Sequence, residues 1–170
     1  MGQLQIFKSS FSKGYFLTTV SLTALFVHII YSLALQMAAV PMGSGRFYWM
    51  VFSIILFSYL LIFSFLSQIV SVNVDDERVI IQKMLGQIVL QRSDILAVTE
   101  APDGKGNLNL FSLRGLFGSI GWFRHKELGL FFSLVKDDRR RVVIRSRRRC
   151  YVVSCDKKDD LLALFSDGVR

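Results

Sequence analysis

The chain has 170 residues, of which 52% are hydrophobic and 20% charged, and its formal net charge is +8. That length leaves room for one domain of about 100 residues beside two long apolar segments. With two histidines, and two cysteines that form no CxxC pair, we predict no metal site and no cofactor. The sequence also lacks a nucleophile elbow, a Walker loop, an HExxH motif and a spaced carboxylate pair, so we predict no catalytic residues and no enzyme.

Two charge-free segments dominate the N-terminal half, Gly14 to Gly45 and Phe47 to Val74, with only Arg46 between them. Each exceeds the ~20 apolar residues that cross a ~30 Å hydrocarbon core as a helix. Backbone polar groups in lipid need internal partners, which favours a helical hairpin, and the first run is too long for a cleaved signal peptide. We predict a flank over 1–13 and a transmembrane hairpin over 14–70, with spans at about 15–39 and 47–70.

Basic residues near these spans predict the topology. Lys8 and Lys13 precede the first span, and Arg78 and Lys83 follow the second, whereas the connecting loop carries Arg46 alone. The positive-inside rule therefore places both termini and the following domain in the cytoplasm, with the protein integral to the membrane. The flank and loop contribute +3, and the remaining 18 basic and 13 acidic residues contribute +5. This excess suits an anionic leaflet.

One ionisable residue, His28, lies within the first predicted span. Such groups are costly in lipid unless they are partnered. We expect a neutral histidine hydrogen-bonded across the hairpin to Ser53 or Ser58 rather than a proton relay.

After Ile69 the pattern changes to short alternating runs separated by turns, which is typical of a β-meander. The segment Phe111 to Phe123 is apolar but is broken by Gly115, Gly118 and Gly121, so we expect a loop there rather than a strand. The seven predicted strands are 69–74, 79–83, 87–91, 95–100, 127–135, 141–146 and 150–155.

A short amphipathic helix is predicted at the end of the chain. Asp156 is the predicted N-cap, Asp159 and Asp160 lie in the first turn, and Gly168 ends the helix. Its buried face consists of Leu161, Leu162, Leu164 and Phe165. The predicted fold class is α+β: a two-helix transmembrane hairpin, then, over 71–170, a small, partly open antiparallel barrel of about seven strands with a capping helix.

The run from Gly115 to Phe165 resembles the bacterial PH-like (pleckstrin-homology-like) domain family. The points of likeness are the Gly-rich aromatic segment, a strand ending in aromatics, a basic hairpin, the strand Tyr151-Val-Val-Ser154 and an acidic start to the last helix. Members of this family are often fused to N-terminal transmembrane segments. The resemblance implies a fold and implies no reaction.

An arginine-rich hairpin is the strongest functional cue. Guanidinium groups bind phosphate bidentately, so a cluster beside a membrane would hold anionic headgroups or an acidic partner. A solubilising, edge-protecting array paired with Asp137 and Asp138 is equally open. The acidic loop Asp75 to Glu77 argues against specific phosphoinositide recognition. The candidate anion-binding residues are Arg139, Arg140, Arg141, Arg145, Arg147, Arg148 and Arg149.

The Gly-rich segment offers a second, apolar candidate surface that would enter the membrane interface or seat a partner. We favour the structural alternative, in which this segment folds over the open side of the barrel. The candidate residues are Leu116, Phe117, Ile120, Trp122 and Phe123.

Together these patterns predict a non-enzymatic, membrane-anchored PH-like interaction module that docks on anionic lipid or a partner protein at the cytoplasmic membrane face. Homo-oligomerisation is left open. The alternative is an accessory or regulatory subunit of a larger membrane complex, since small residues on both spans permit close helix packing. No nucleic-acid partner is expected, because the domain's excess of +5 is modest and no binding motif is present.

Overall fold

Two long helices precede a β-rich domain in the computed structural model, which describes residues 4–102 and 108–166. Helix α1 spans Lys13–Met37 and helix α2 spans Gly45–Ser67. At 1.5 Å per residue they measure about 38 and 35 Å. Both are long and apolar enough to cross a membrane. They pack against each other, with the Phe26 and Phe57 ring centroids 5.4 Å apart.

The expected hydrogen bond of His28 across this hairpin is wrong. His28 is exposed on α1, and it has no hydrogen-bond partner among the described residues. The Ser53 hydroxyl instead donates to the Trp49 carbonyl of its own helix, at 2.8 Å. The ring therefore points away from α2.

The β-rich part holds ten strands in the described residues, arranged in two sheets. The strands are β1 Gln5–Lys8, β2 Ile69–Val74, β3 Arg78–Lys83, β4 Gln87–Gln91, β5 Ile95–Glu100, β6 Leu108–Arg114, β7 Ser119–His125, β8 Gly129–Val135, β9 Arg141–Ser146 and β10 Cys150–Ser154. The first sheet has the order β1-β2-β3-β4 and the second has the order β5-β9-β10-β8-β7-β6. A 3-10 turn at Arg92–Asp94 joins the sheets, and helix α3 at Lys158–Ser166 follows the last strand.

Strand β1 was not predicted, and it gives the N-terminal flank a structural role. It pairs antiparallel with β2, with Phe7 opposite Val72, and Phe7 is buried. The Asp156 N–H donates to the Lys8 carbonyl at 2.8 Å, which ties the flank to the end of β10 as well. The domain is thus assembled from chain on both sides of the helical hairpin.

The seven predicted strands are confirmed with small shifts of their ends, but the expected loop over 111–123 is wrong. This segment forms most of β6 and β7, and these two strands together with β1 raise the number in the described residues from seven to ten. Gly115 and Gly118 lie in the turn, and Gly121 lies inside β7 because the β6 backbone passes very close. A Cβ at Gly121 would lie 2.5 Å from the Ser112 Cα.

The expectation of a purely antiparallel barrel is also wrong at one position. Strand β10 returns antiparallel to β9 and inserts beside β8, to which it runs parallel, with Cys150 opposite Phe131. The tight β9–β10 hairpin makes β10 run opposite to β9. Because β8 also runs opposite to β9, β10 and β8 are parallel.

The main core lies between the two sheets and α3, and a second apolar cluster lies on the opposite face of the six-stranded sheet. Val142 and Ile144 belong to the first core and Val143 to the second, as strand alternation requires. Helix α3 closes the first core with the fully buried Leu161 and the partly buried Leu162, Leu164 and Phe165, as predicted.

The predicted N-cap of α3 is wrong in detail. The helix begins at Lys158, and Asp156 binds the flank instead. Asp159 and Asp160 do lie in the first turn, where the helix dipole favours acidic side chains. The predicted stop at Gly168 lies outside the described residues.

Candidate functional site

In the described part of the chain, hydrogen bonds join the helical hairpin to the domain at three turns. The first is the β6–β7 turn, Gly115–Gly118, here called the docking turn. The Thr19 hydroxyl of α1 donates to the Gly115 carbonyl at 3.1 Å and accepts from the Phe117 N–H at 3.0 Å. Thr19 is buried, with 7% of its surface exposed. One side chain therefore satisfies two backbone groups of the turn away from water.

Apolar contacts reinforce the docking turn. The Phe117 ring packs edge-on against Phe65 of α2, with centroids 5.4 Å apart. A Cβ at Gly115 would lie 3.1 Å from Leu22, which shows how closely α1 approaches. Phe117 has φ +56°, a left-handed backbone that is unfavourable for a bulky residue. The contacts with both helices hold this strained conformation in place.

The second point is the turn between β3 and β4, which meets the end of α2. The Leu85 N–H donates to the Leu66 carbonyl and the Met84 N–H to the Gln68 carbonyl, each at 2.9 Å. The last carbonyls of a helix lack partners within the helix, and here the domain supplies a donor for that of Leu66. Met84 and Leu85 remain exposed beside the helix end.

The third point is the turn over 136–140, here called the basic turn, which meets the start of α1. The Ser12 N–H donates to the Lys136 carbonyl at 3.0 Å, and the Tyr15 hydroxyl donates to Asp138 Oδ2 at 2.9 Å. The Lys136 ammonium lies 4.6 Å from the centroid of the Phe11 ring. Burial lowers the pKa of Lys136 to about 8, although the nearby Asp156 carboxylate opposes the shift.

Asp156 links the flank to the basic turn. Its carboxylate accepts from the Ser10 N–H at 3.1 Å, from the Ser10 hydroxyl at 2.6 Å and from Arg140 Nη1 at 3.1 Å. Burial alone would raise the pKa of Asp156, but the hydrogen bonds from Ser10 and the positive charge of Arg140 lower it on balance. The aspartate is therefore a structural anion, and Arg140 is its partner.

The seven predicted arginines do not form one surface. Arg139 to Arg141 lie at the start of β9, close to α1. Arg147 to Arg149 follow the last residue of β9, in the β9–β10 turn. Six strand residues at ~3.3 Å each separate the two groups by about 20 Å. Within the described residues, hydrogen bonds to the start of α1 come from the turn that carries the first group, through Lys136 and Asp138, and none comes from the β9–β10 turn.

The arginines also differ in their partners. Arg140 pairs with Asp156 and, at 3.7 Å, with Asp137, while Arg141 lies 4.0 Å from Asp138 and donates to the Pro102 carbonyl. The local partnership with Asp137 and Asp138 that defined the structural alternative therefore holds for these two. Arg145 is exposed beside Cys150, and Arg149 lies 5.8 Å from the Trp122 centroid. In the described part of the chain, the side chains of Arg139, Arg147 and Arg148 are exposed and have no ion pair.

Most of the predicted apolar surface is inside the protein. Leu116, Ile120 and Phe123 are buried, with at most 5% of their surface exposed. Phe117 is half-buried in the docking turn, and the half-buried Trp122 packs edge-on against Phe132 with centroids 5.1 Å apart. Among the described side chains of β6, Leu108, Leu110 and Phe111 are the exposed apolar ones, the last with 84% exposure.

The described residues contain no group of three metal-ligating side chains. Cys150 and Cys155 are free and buried. Burial raises the pKa of the Cys155 thiol to about 11, and the Asp156 and Asp159 carboxylates add to this effect against Arg140 and Lys158. Such a thiol stays protonated at neutral pH and is a poor nucleophile.

No sequence pattern indicated Thr19, the α1 residue that binds the docking turn. A threonine inside an apolar helix normally bonds its own backbone, as Thr18 does with the Gly14 carbonyl. The sole available cue was the pair of glycines at 115 and 118, since glycine permits close backbone approach.

The comparison with protein families gives one match, to a bacterial PH domain over residues 70–166. No curated protein and no solved structure matches the chain. The matched range covers β2 to α3, which includes the docking turn and the basic turn. Domains of this family are in general interaction modules and in general non-catalytic. The chain belongs to the bacterial PH domain family.

Proposed function

We propose that this protein is a non-enzymatic interaction module of the bacterial inner membrane, with its PH domain held on the cytoplasmic face and its basic turn docked on anionic lipid headgroups. The observation that carries this proposal is the hydrogen bond between Ser12, the N-cap of α1, and Lys136 of the basic turn. Where α1 enters the bilayer, the basic turn reaches the headgroups.

Exposed charge at this position favours anions. A cleft of about 540 Å³ is lined by residues 10–14 and 137–140. Asp137 pairs with Arg140, and Asp138 lies 4.0 Å from Arg141, so Lys13 and Arg139 are the exposed charges of this cleft that have no ion pair within the described residues. Each basic residue close to an anionic leaflet contributes about 1 kcal/mol. The tether keeps even this weak contact occupied.

The test is the lipid retained by the full chain. The protein is reconstituted with phosphatidylglycerol and phosphatidylcholine, and bound lipids are counted by native mass spectrometry. Two contacts of about 1 kcal/mol each predict a ~30-fold preference for phosphatidylglycerol. The double variant Lys13→Ser with Arg139→Ser is expected to remove most of this preference.

The distal turn supplies the matched control. Arg147→Ser with Arg148→Ser removes the same number of charges about 20 Å away. This control is expected to retain the preference. Equal loss in both double variants would mean that only net charge matters, and no preference in the unmodified chain would reject anionic docking.

A second candidate function is supported by His28. Ser21, Ala24 and His28 are all exposed on α1 at helical spacing. An ionisable side chain within a bilayer normally faces protein or water, so this stripe favours a neighbouring helix, as in a subunit of a larger membrane complex. The same native spectra report it: a dimer or an added subunit that is lost in His28→Leu would support this candidate, and a monomer in both would reject it.

A further inference from the structure

An apolar groove lies between α2 and the end of the six-stranded sheet that is formed by β6, β7 and β8. Its volume is about 560 Å³, within the ~300–1,000 Å³ range of ligand pockets. Strands β6, β7 and β8 form one wall, and α2 forms the other. The residues that line it are Tyr59, Leu60, Phe63, Ser67, Lys83, Phe111, Ser112, Ile120, Gly121, Trp122, Phe132 and Leu134.

The helical wall follows the part of α2 nearest the domain. Tyr59 and Ser67 are eight residues apart, so the groove extends about 12 Å along the helix. The Tyr59 and Phe63 rings stack with centroids 5.8 Å apart, and both remain about half exposed. The groove therefore opens on the flank of a helix that is long and apolar enough to span a membrane.

The opposite wall is also aromatic. Trp122 and Phe132 pack edge-on, and Phe111 stands at the mouth with 84% of its surface exposed. Exposed apolar surface of this kind in a soluble protein marks an interaction site. Here it continues directly from the apolar surface of α2.

A single charge marks one end of the groove. Lys83 is the one charged side chain among the described residues that line it. It is paired with Ile69, two residues after Ser67, so the ammonium group belongs to the domain end of the groove. The groove thus has a cation at one end and about 12 Å of apolar wall leading away from it.

We propose that this groove binds one acyl chain of a bilayer glycerophospholipid, with the lipid phosphate at Lys83. The inference rests on the proposed function, because it requires α2 to lie in the bilayer. A phospholipid has the matching order of parts, an anionic phosphate joined to a long apolar chain, and lipids surround a spanning helix at high local concentration. The ammonium group and the phosphate attract each other, and the aromatic walls remove the chain from water.

Fluorescence of Trp122 tests the proposal on the full chain. The protein has two tryptophans, so Trp49→Phe leaves Trp122 as the only one. The variant is reconstituted in phosphatidylcholine vesicles with or without bromine on the acyl chains, because bromine quenches tryptophan only at contact distance. We expect the brominated lipid to halve the Trp122 emission.

A variant that fills the groove separates binding from general immersion. Ser67→Phe, added to Trp49→Phe, inserts a ring into the groove and is expected to restore most of the emission. Ile62→Phe places the same ring on an exposed position of α2 that does not line the groove, and quenching should persist. Quenching that survives Ser67→Phe, or that is absent from the parent, overturns the proposal.

A second substitution leaves the groove open. Lys83→Gln is expected to reduce quenching by the brominated phospholipid and to leave quenching by brominated diacylglycerol, which lacks a phosphate, unchanged. Equal quenching by the phospholipid before and after the substitution overturns the phosphate assignment. Flotation with the vesicles separates the two proposals: a chain that does not float contradicts the membrane anchor, whereas one that floats without quenching contradicts only the groove.

Discussion

Gly118→Ala is expected to destabilise the PH domain by about 3 kcal/mol or more, a large part of the ~5–15 kcal/mol that holds a typical domain folded. A Cβ at this position would lie 2.2 Å from the Val135 carbonyl oxygen and 3.1 Å from the Val135 carbonyl carbon. Both atoms belong to the backbone, so no side-chain rotation relieves the clash. Gly118 also has φ +117°, which L side chains rarely adopt.

Gly129→Ala is the matched control for this variant. Gly129 has φ +70°, and a Cβ there would meet nothing within 4 Å. The control therefore carries backbone strain without the clash and should cost about 1 kcal/mol. Thermal unfolding of the full chain in detergent, followed by circular dichroism, measures both variants. Equal losses would contradict the close approach of the docking turn to the end of β8.

Thr19→Val is expected to release the docking turn from α1. Valine has nearly the shape of threonine, but it leaves the Gly115 carbonyl and the Phe117 N–H without their partner, and an unsatisfied buried group costs about 1–3 kcal/mol. Hydrogen–deuterium exchange at the Phe117 amide should therefore rise by more than tenfold, since ~1.4 kcal/mol corresponds to a factor of ten.

The neighbouring residue provides the control. Thr18 is exposed, and its hydroxyl bonds the Gly14 carbonyl within α1. Thr18→Val therefore removes a hydroxyl from the same helix without touching the domain, and the Phe117 amide should keep its protection. If the two valine variants exchange equally fast, Thr19 does not hold the docking turn.

The sequence predicted most of the domain because its strands alternate in polarity and are separated by clear turns. Ile69–Val74 and Arg141–Ser146 were placed at their observed bounds, and the buried face of α3 was identified from its leucines. These features depend on local pattern alone. The family resemblance, drawn from the second half of the domain, agreed with the family match over residues 70–166.

What the sequence did not predict depends on contacts between distant segments. The four residues of β1 are too few to show a period, and they form a strand because β2, more than 60 residues later, offers an edge. Three glycines between Phe111 and Phe123 suggested a loop, yet Gly121 lies inside β7, where the β6 backbone passes within contact distance. In both cases tertiary structure outweighed local propensity.

The candidate site was predicted only in part, for a geometric reason. The arginines are close in sequence, but an extended strand separates its two ends by about 20 Å. The number of arginines in this short run of sequence therefore overstated the size of the predicted anion-binding surface. The predicted hairpin ends at residue 70 and the first predicted strand begins at residue 69, which leaves no linker between them. The structure shows the result, which is a domain fixed to the helices at three turns.

This assembly also constrains experiments on the domain. A fragment that begins at residue 71 would lose β1 and the first two residues of β2, Ile69 and Val70. Ile69 is buried in the core. Such a fragment is expected to be unstable, and for this reason every experiment above uses the full chain.

Labelling of cysteines that are introduced one at a time tests most directly whether the domain lies on the cytoplasmic face. Met42, in the α1–α2 turn, is 90% exposed, and Lys126, in the β7–β8 turn, is also exposed. The native Cys150 and Cys155 are buried and should react little. With a membrane-impermeant maleimide on intact spheroplasts, Met42→Cys should be labelled at once and Lys126→Cys only after permeabilisation. Labelling of Lys126→Cys in intact spheroplasts would contradict the proposed orientation.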